Sequence, residues 1–329
     1  MREAIITPRQ GNILQISVPM APPLRQVNSY LLKDTEGAVT IIDPGPHTLE
    51  TELAWEGTLD KLDLTWSKVK QIVVTHHHPD HYGLAGWMQS RSDCKVWMSE
   101  RAHAEALLMW GRNSSMNEEL PLFFFRHGMP EHVTDEIKEH HERFAPQVIP
   151  QPEVSYITPS VPFKMGDHMW QPILTGGHAP GHLSFYHSES GYMICGDAVL
   201  PQISPNVSLL PGTDPQPLMT FLQGLRELSS YPVSLAFPGH REPFAAFAER
   251  INSLLDHHEE RLDAAEALLV EGPLSGFAIC EALFHGRISS IHQMRFAMSE
   301  ALAHMVELVR RERAILTESE GCLYFAAAE

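Results

Sequence analysis

Short apolar runs alternate with helical patterns over the first 240 residues of the chain. The clearest run, residues 69–75 (VKQIVVT), has four apolar residues, three of them consecutive, and predicts a strand buried on both faces. Other short apolar or β-branched runs predict strands at residues 13–18, 29–33, 38–42, 95–98, 172–175, 183–187, 192–195 and 234–237. Helices are predicted at residues 48–59, from residue 84, and at 102–110 with Ser99 as N-cap. This alternation predicts an α/β layered fold.

The pattern changes in a segment of about 40 residues, from 110 to 151. Phe123, Phe124 and Phe125 are adjacent there, and a charged helical stretch follows at residues 135–143. So long an excursion between predicted strands is typical of a cap or a binding loop. Its apolar side chains either pack the cap onto the body of the protein or line a pocket for a bulky substrate.

The last third of the chain is predicted to be mostly helical. Helical periodicity covers residues 244–270, 275–284 and 291–313. Residues 314–325 then predict two short strands around Glu320 and Gly321, so the order is that of a winged-helix domain. A chain of 329 residues suits one large domain plus a smaller one. We predict a first domain at residues 1–245, with the cap inserted in it, and a winged-helix-like domain at 246–329.

Charge and composition narrow the classes of function. Hydrophobic residues make up 43% and charged residues 20%, the balance of a globular chain. The formal net charge of −17 disfavours a protein whose affinity comes from neutralising phosphates, although a basic groove can exist on an acidic protein. In the third tail helix, glutamates counter the charge of the arginines, which disfavours nucleic-acid binding by this helix. That helix also carries an apolar stripe, predicted to be core or a homodimer contact: Met294, Met298, Leu302, Met305 and Val309.

Cysteine usage and hydropathy predict a cytoplasmic protein. The four cysteines lie far apart and include no CxxC pair, so neither a disulfide framework nor a cysteine zinc site is indicated. No apolar run is long enough to span a bilayer, and the first 20 residues do not resemble a signal peptide. A small molecule is therefore the expected partner, rather than a membrane.

The chain contains 20 histidines, an unusually large number for its length. Histidine is the commonest metal ligand in proteins. The densest cluster, residues 76–81 (HHHPDH), follows the buried strand. Two residues apart in an extended loop, His76 and His78 project to the same side. Asp80 and His81 offer a carboxylate and an imidazole beside them. Four such groups in six residues can serve two metal ions but cannot enclose either.

Three further candidate ligands, His178, Asp197 and His240, each follow a glycine at the end of a predicted strand. A set of nitrogen and oxygen ligands suits a catalytic metal, whereas thiolate-rich sets suit structural zinc. A carboxylate shared by two ions would hold a hydroxide between them, and that nucleophile needs no serine or cysteine. Zinc is the first expectation for both divalent ions. Iron and manganese are the alternatives, because the same ligands suit them.

These motifs resemble those of the metallo-β-lactamase fold hydrolases over residues 10–245. The matching segments are HxHxDH after a buried strand, GGHAPGH, GD, PGH, the Asp43-Pro44-Gly45 turn and the strand opening VNSY. The resemblance implies an αββα sandwich of two mixed sheets, with the metals at one edge. It also implies that Asp43 is buried behind the ligands and that Asp197 bridges the ions. The ligands it implies are His76, His78 and His178 for one ion, and Asp80, His81 and His240 for the other.

A site with an aspartate bridge and no cysteine ligand is similar to the sites of the glyoxalase II, lactonase and phosphodiesterase branches. The tail, with DHHEER at residues 256–261, is similar to the winged-helix extension of β-lactamase-like protein 2 relatives. These resemblances imply a dinuclear hydrolase that uses metal-bound hydroxide on a small ester, thioester or lactone. Asp80 or a metal-bound water would handle the proton.

The alternative is a phosphodiesterase or single-strand endoribonuclease with the same metals, which needs a basic track and base-stacking aromatics. A third class, a non-catalytic or redox protein of this fold, would have lost ligands or carry a flavodoxin-like domain. The sequence indicates neither.

Other polar residues near the motifs are assigned lesser roles. His77 is predicted to point away from the metals, and His182 to lie near the site without binding an ion. Arg241, where many relatives have glycine, either places a cation near the site for an anionic substrate or faces solvent. The remaining histidines of the cap and tail are predicted to be solvated: His127, His132, His140, His141, His257 and His258.

Overall fold

The computed structural model describes residues 3–22 and 24–328 and contains two large sheets flanked by helices. Seven strands in chain order form the first sheet: β1 (Ile5–Pro8), β2 (Ile13–Pro19), β3 (Gln26–Lys33), β4 (Val39–Ile42), β5 (Val69–Val73), β6 (Lys95–Met98) and β7 (Val154–Tyr156). Strands β1 to β4 pair antiparallel, whereas β4 to β7 pair parallel. Parallel neighbours need crossover connections, which the helices supply.

The helices of this half lie in three crossover connections, and the third of these contains the cap. They are α1 (Leu49–Lys61), α2 (Pro79–Tyr82), α3 (Ala85–Ser92), α4 (Glu100–Trp110), α5 (Met116–Arg126) and α6 (Glu131–Glu142). The side chain of Ser99 accepts a hydrogen bond from the backbone N–H of Ala102, so the predicted N-cap of α4 is confirmed.

Five strands form the second sheet, in the spatial order β12-β11-β10-β9-β8. They are β8 (Phe163–Met165), β9 (His168–Leu174), β10 (Leu183–His187), β11 (Tyr192–Gly196) and β12 (Leu235–Pro238). Only β11 and β12 pair parallel, and helix α7 (Pro217–Leu228) lies between them in the chain. Both sheets are thus mixed, as the resemblance implied.

The two sheets pack face to face, and the helices cover their outer faces. Tyr30 of β3 and Phe237 of β12 meet edge to face, with ring centroids 5.6 Å apart. Val73 belongs to this inter-sheet core, whereas its neighbour Ile72 packs in the cluster formed with the helices. Because successive side chains of a strand point to opposite faces, burial on both sides explains the unbroken apolar run at residues 72–74. Lys70 is exposed and Gln71 half-buried, so the prediction of burial on both faces is wrong for the first part of this strand. The predicted αββα sandwich is confirmed.

Some elements lie outside the predicted ones. Strands β7 and β8 have only three residues each, which is too short for an alternating pattern to be recognised. Helix α7 has apolar residues at helical spacing, among them Leu218, Phe221 and Leu225, and begins with proline at its first position. Its position between two strands is part of the α/β pattern.

Beyond β12 the chain forms α8 (Phe247–Ala267), β13 (Leu274–Ser275), α9 (Gly276–Leu283), α10 (Ile291–Arg310), β14 (Ala314–Ser319) and β15 (Cys322–Ala327). The expected order of three helices and a hairpin is confirmed. The hairpin turn places Glu320 and Gly321 in the left-handed region, at φ 52° and 79°. The domain division and the winged-helix assignment stay predictions.

The apolar stripe of α10 faces the interior of the chain. Met298, Leu302 and Met305 are fully buried, so the stripe is core, and a homodimer stays a prediction. Within the described residues, no helix has both the length and the apolarity needed to cross a membrane.

The cap packs against the C-terminal helices. Helices α5 and α6 contact each other, α6 contacts α10, and α5 contacts β15. Phe124 and Met129 are buried in this packing, whereas Phe125 is half exposed. The aromatic residues of the cap therefore serve mainly as packing, the first of the two alternatives.

Candidate metal centre

The loop after β5 is held by a buried carboxylate. Asp43, at the end of β4, accepts hydrogen bonds from the backbone N–H of Thr75 at 2.8 Å and from its hydroxyl at 2.7 Å. Its Oδ2 also lies 3.0 Å from Nδ1 of His81. Strands β4 and β5 are parallel neighbours, so their carboxyl ends meet at one sheet edge. Asp43 therefore stands behind the histidine cluster, as predicted.

Three predicted ligands form a first group at this edge. The Nε2 of His76 and the Nδ1 of His78 face each other at 3.0 Å. His178, from the loop between β9 and β10, approaches both, with ring centroids 5.1 Å from His76 and 4.6 Å from His78. Two nitrogens bound to one tetrahedral ion at ~2.0–2.1 Å lie about 3.3 Å apart. The spacing of this group therefore suits a single ion.

A second group lies beside the first. Oδ2 of Asp80 is 3.3 Å from Nε2 of His240 and 3.7 Å from Nε2 of His81. Oδ2 of Asp197 lies between the groups, 3.7 Å from Nε2 of His178, 3.6 Å from that of His81 and 3.4 Å from that of His240. A carboxylate in contact with both groups is in the position of a bridging ligand.

Four of the histidines have one ring nitrogen engaged by the protein. Each Nδ1 has an oxygen partner: Thr75 Oγ1 for His76, Asp43 for His81, the Asn206 carbonyl for His178 and the Gln26 carbonyl for His240. Such partners fix the tautomer and orient Nε2 in metal sites. In the described part of the chain, Nε2 of His81, His178 and His240 and Oδ1 of Asp197 are buried without any hydrogen-bond partner. A cation would satisfy all of them.

The electrostatics of the site are those of paired opposite charges. Burial lowers the pKa values of His76 and His78, and neighbouring imidazoles lower them further, so both keep a free lone pair. Burial also disfavours the charged form of His240, but Asp197 and Asp80 raise its pKa to about 10. Asp197, despite its burial, is held well below its usual pKa by His240 and His81. Divalent cations would replace the protons on these histidines.

Sequence comparisons agree with this arrangement. The profile of the Metallo-beta-lactamase superfamily matches residues 22–240, and that of the Metallo-beta-lactamase-like, C-terminal domain matches residues 262–328. The chain belongs to the metallo-beta-lactamase superfamily. This superfamily member is 27% identical to the probable metallo-hydrolase YqjP of Bacillus subtilis (strain 168), over 95% of its own length and 97% of that protein.

Two solved structures resemble this superfamily member along nearly the whole chain. A metallo-beta-lactamase family protein of Thermus thermophilus, TTHA1429, is 31% identical with a TM-score of 0.84, covering 96% of this chain and 98% of its own. A beta-lactamase domain protein of Burkholderia ambifaria is 29% identical with a TM-score of 0.88, covering 98% and 94%. The expectation of a metallo-hydrolase is confirmed.

Glycine is required beside the ligands of this superfamily member. A Cβ on Gly239 would overlap Oδ1 of Asp197 and lie 2.7 Å from Cε1 of His81. Gly196, at φ 48°, lies against His182, whose Nε2 would be 2.6 Å from such a Cβ. The bare backbone at both positions lets two strand ends approach the same point.

The structure brings all seven predicted ligands together. It also shows the positions of three neighbouring residues whose roles the sequence left open. His182 accepts a hydrogen bond from the backbone N–H of Asp197 at 3.1 Å and thus supports the site from behind, as predicted. His77 is buried rather than solvent-facing, and its carbonyl accepts a hydrogen bond from the Trp110 indole. Arg241 is exposed at φ 72°, in the left-handed region that glycine adopts at lower cost.

The prediction that the cap and tail histidines are solvated is wrong for four of them. His127, His140, His141 and His258 are buried, whereas His132 is exposed and His257 half-buried. Their contacts include residues that are distant in the chain, such as Phe325 of β15 for His127 and His304 of α10 for His258, so no local pattern indicates their burial. Sequence reasoning also missed Asn206, which supports His178, because its contribution is a backbone carbonyl.

Proposed function

We propose that this superfamily member is a dinuclear metal-dependent hydrolase that acts on a small ester, thioester or lactone. The proposed ligands are His76, His78 and His178 for the first ion, Asp80, His81 and His240 for the second, and Asp197 for both. Zinc is the expected metal, with iron or manganese as alternatives for the same ligands.

The observation that carries the proposal is the set of buried polar atoms without partners. Burying a polar atom without a hydrogen bond costs about 1–3 kcal/mol, and here several such atoms point to one place. Their opposite ring nitrogens are engaged by oxygen acceptors, the arrangement that prepares histidine for a metal. A packed core would not leave such a cluster unsatisfied.

The residues around the ions have distinct roles in this proposal. Two divalent ions, when bound, supply a water of lowered pKa and a positive charge that polarises the substrate's carbonyl oxygen. The Asp80 side chain is 21% exposed, against 8% for Asp197. We therefore assign Asp80 the role of proton acceptor and leave Asp197 as bridge only.

Charge supports a small acyl substrate over a nucleic acid. Arg310 and Arg311 both contact Glu307, and Arg313 contacts Glu266, so these cations are paired within the chain. They form no free cationic track of the kind that a phosphodiester backbone needs. The net charge of −17 acts in the same direction.

A cytoplasmic location is part of the proposal. All four cysteines, Cys94, Cys195, Cys280 and Cys322, are free thiols, and free thiols persist in a reducing compartment.

The test combines metal analysis with a substrate panel. The protein, purified without chelator, is assayed for metal content and for hydrolysis of esters, thioesters, lactones, bis-p-nitrophenyl phosphate and single-stranded RNA. We expect about two metal ions per chain and turnover of carbonyl substrates. Asp197→Ala should abolish turnover, whereas the control Asp60→Ala, on the exposed face of α1, should not.

Two results would change the conclusion. Cleavage of the phosphodiester or RNA alone would replace the acyl substrate with the nuclease alternative. A protein without metal, even after reconstitution, would contradict the proposed centre.

A further inference from the structure

A cation on helix α10 has no anionic partner. The guanidinium carbon of Arg295 lies 5.2 Å from the ring centroid of Phe144 and 4.7 Å from that of Phe296. Among the described residues it forms neither an ion pair nor a hydrogen bond. The neighbouring arginines differ, since Arg261 pairs with Glu300 and Arg311 with Glu259.

The surroundings of Arg295 leave its N–H groups available. Aromatic faces hold the plane of a guanidinium through cation–π contact but accept no conventional hydrogen bonds from its edge. Arg295 keeps part of its surface exposed to solvent. Burial lowers its pKa to about 10, which still leaves it charged at neutral pH. A planar fork of donors matches a carboxylate or a phosphate group.

A short chain of contacts connects this position to the metal centre. The carbonyl of Phe296, adjacent to Arg295, accepts a hydrogen bond from the side chain of Asn206 at 3.3 Å. The carbonyl of Asn206 in turn accepts from Nδ1 of His178 at 2.8 Å. Arg295 is therefore one residue away from the segment that supports a proposed ligand.

A second polar side chain points to the same side. His292 lies one turn before Arg295, and its Nδ1 is 3.2 Å from Nε2 of His140 in the cap. The imidazole of His292 also contacts Phe144 and Phe296, the two rings that flank Arg295, with ring centroids 6.4 Å and 4.8 Å away. Its Nε2 has no partner within the described part of the chain. The cap and the C-terminal helix thus meet at His292 and Arg295.

We propose that Arg295, assisted by His292, binds an anionic group of the substrate, a carboxylate or a phosphate, next to the metal centre. The substrate class thereby narrows to acidic esters, thioesters or lactones. The reaction in this inference rests on the proposed function, but the binding of the anion does not.

The kinetic test uses esters that differ only in a terminal charge. The substrates are p-nitrophenyl valerate, the hemisuccinate and a phosphonopropanoate. We expect the metal-loaded enzyme to prefer an acidic ester by about tenfold or more in kcat/KM, the effect of a charged hydrogen-bonded pair. Arg295→Met should abolish the preference and leave the neutral ester within about twofold. The acid that is preferred identifies carboxylate or phosphate.

The matched control is Arg310→Met on the same helix, where the arginine already pairs with Glu307. This variant should retain the full preference. Arg295→Lys keeps the charge but loses the planar fork of donors, so it should retain a reduced preference for the acidic ester. That result would show that the loss of preference in Arg295→Met does not come from misfolding.

A binding measurement separates the two proposals. Calorimetry on the metal-loaded protein compares glutarate with butyrate, and we expect a preference of about tenfold for the dicarboxylate that Arg295→Met removes. This result without hydrolysis of any ester would keep the anion subsite and contradict the proposed reaction. Hydrolysis with equal rates for neutral and acidic esters would keep the reaction and overturn the subsite. Arg295-dependent binding of single-stranded RNA without the dicarboxylate preference would also overturn it.

Discussion

The side-chain amide of Asn206 donates a hydrogen bond to Oε2 of Glu300 across 2.9 Å. Glu300 lies on α10, whereas the backbone carbonyl of Asn206 supports His178. A single residue thus connects the C-terminal helix to a proposed metal ligand. Because metal sites depend on the partners of their ligands, α10 would support the proposed centre without touching an ion.

Removing this link should weaken metal binding. In Asn206→Ala, Glu300 loses a buried donor, and we expect a loss of about 1–3 kcal/mol in the free energy of unfolding. Metal retention against a chelator should fall by about tenfold, because His178 is held less firmly. Chelator titration and urea unfolding measure both, with the exposed Asn252→Ala on α8 as control. Unchanged metal retention would mean that the link is only structural.

Asp43→Asn tests the carboxylate behind the ligands. An amide cannot accept at both positions, so either Thr75 or His81 loses its acceptor. We expect the metal content to fall from two ions toward one and kcat/KM to fall by about 10- to 100-fold. Asp93→Asn is the matched control, because Asp93 is exposed and its left-handed backbone suits asparagine. Full metal content in Asp43→Asn would be inconsistent with this role.

Gly239→Ala should damage the centre through a single methyl group. The new Cβ overlaps Asp197 and crowds His81, so the two side chains must separate. We expect at least about a tenfold loss in metal retention, with little change in the circular dichroism spectrum. Gly57→Ala, inside α1 with nothing within 4 Å, should instead stabilise the protein by about 0.5–1 kcal/mol. Equal behaviour of the two variants would refute the steric argument.

The buried pair His258 and His304 should make stability depend on pH. Nδ1 of His258 lies 3.1 Å from Nε2 of His304, and Nδ1 of His304 donates to the Glu300 carbonyl. Burial lowers the pKa of His258 to about 2 and that of His304 to about 4. In the unfolded chain both would take up a proton near pH 6.5. The unfolded state therefore binds more protons below pH 6.5, and acid destabilises the folded state.

We expect the free energy of unfolding to fall between pH 7 and pH 5 by about 2 kcal/mol for each of these histidines. Urea unfolding of chelator-treated protein measures this change without the metal contribution. Other buried histidines, such as His76 and His78, also contribute to the total fall. His258→Leu should therefore reduce the fall by about 2 kcal/mol, whereas His132→Leu, at an exposed site, should leave it unchanged. An identical pH dependence in His258→Leu and the unmodified chain would show that the pair is not responsible.

The order of strands and the metal motifs follow from local sequence. Residues 72–74 form an unbroken apolar run because their side chains are buried on both faces of the sheet, which makes this strand recognisable without any tertiary information. The spacing of His76, His78, Asp80 and His81 is local too, because a short loop after a strand positions all four. The boundaries of β6 and β10 agree with prediction for the same reason.

Contacts between distant helices were decided only by the tertiary structure. By sequence, the arginines of this stretch are countered as a group by its glutamates. Arg295 and Glu300, however, are five residues apart and therefore lie about 140° apart around the helix axis. Glu300 pairs instead with Arg261 of α8, and Arg295 is left between two aromatic rings. Likewise, His258 and His304 are buried because α8 packs on α10. Residue type and spacing determine which groups follow a strand, whereas burial and pairing depend on which surfaces meet after folding.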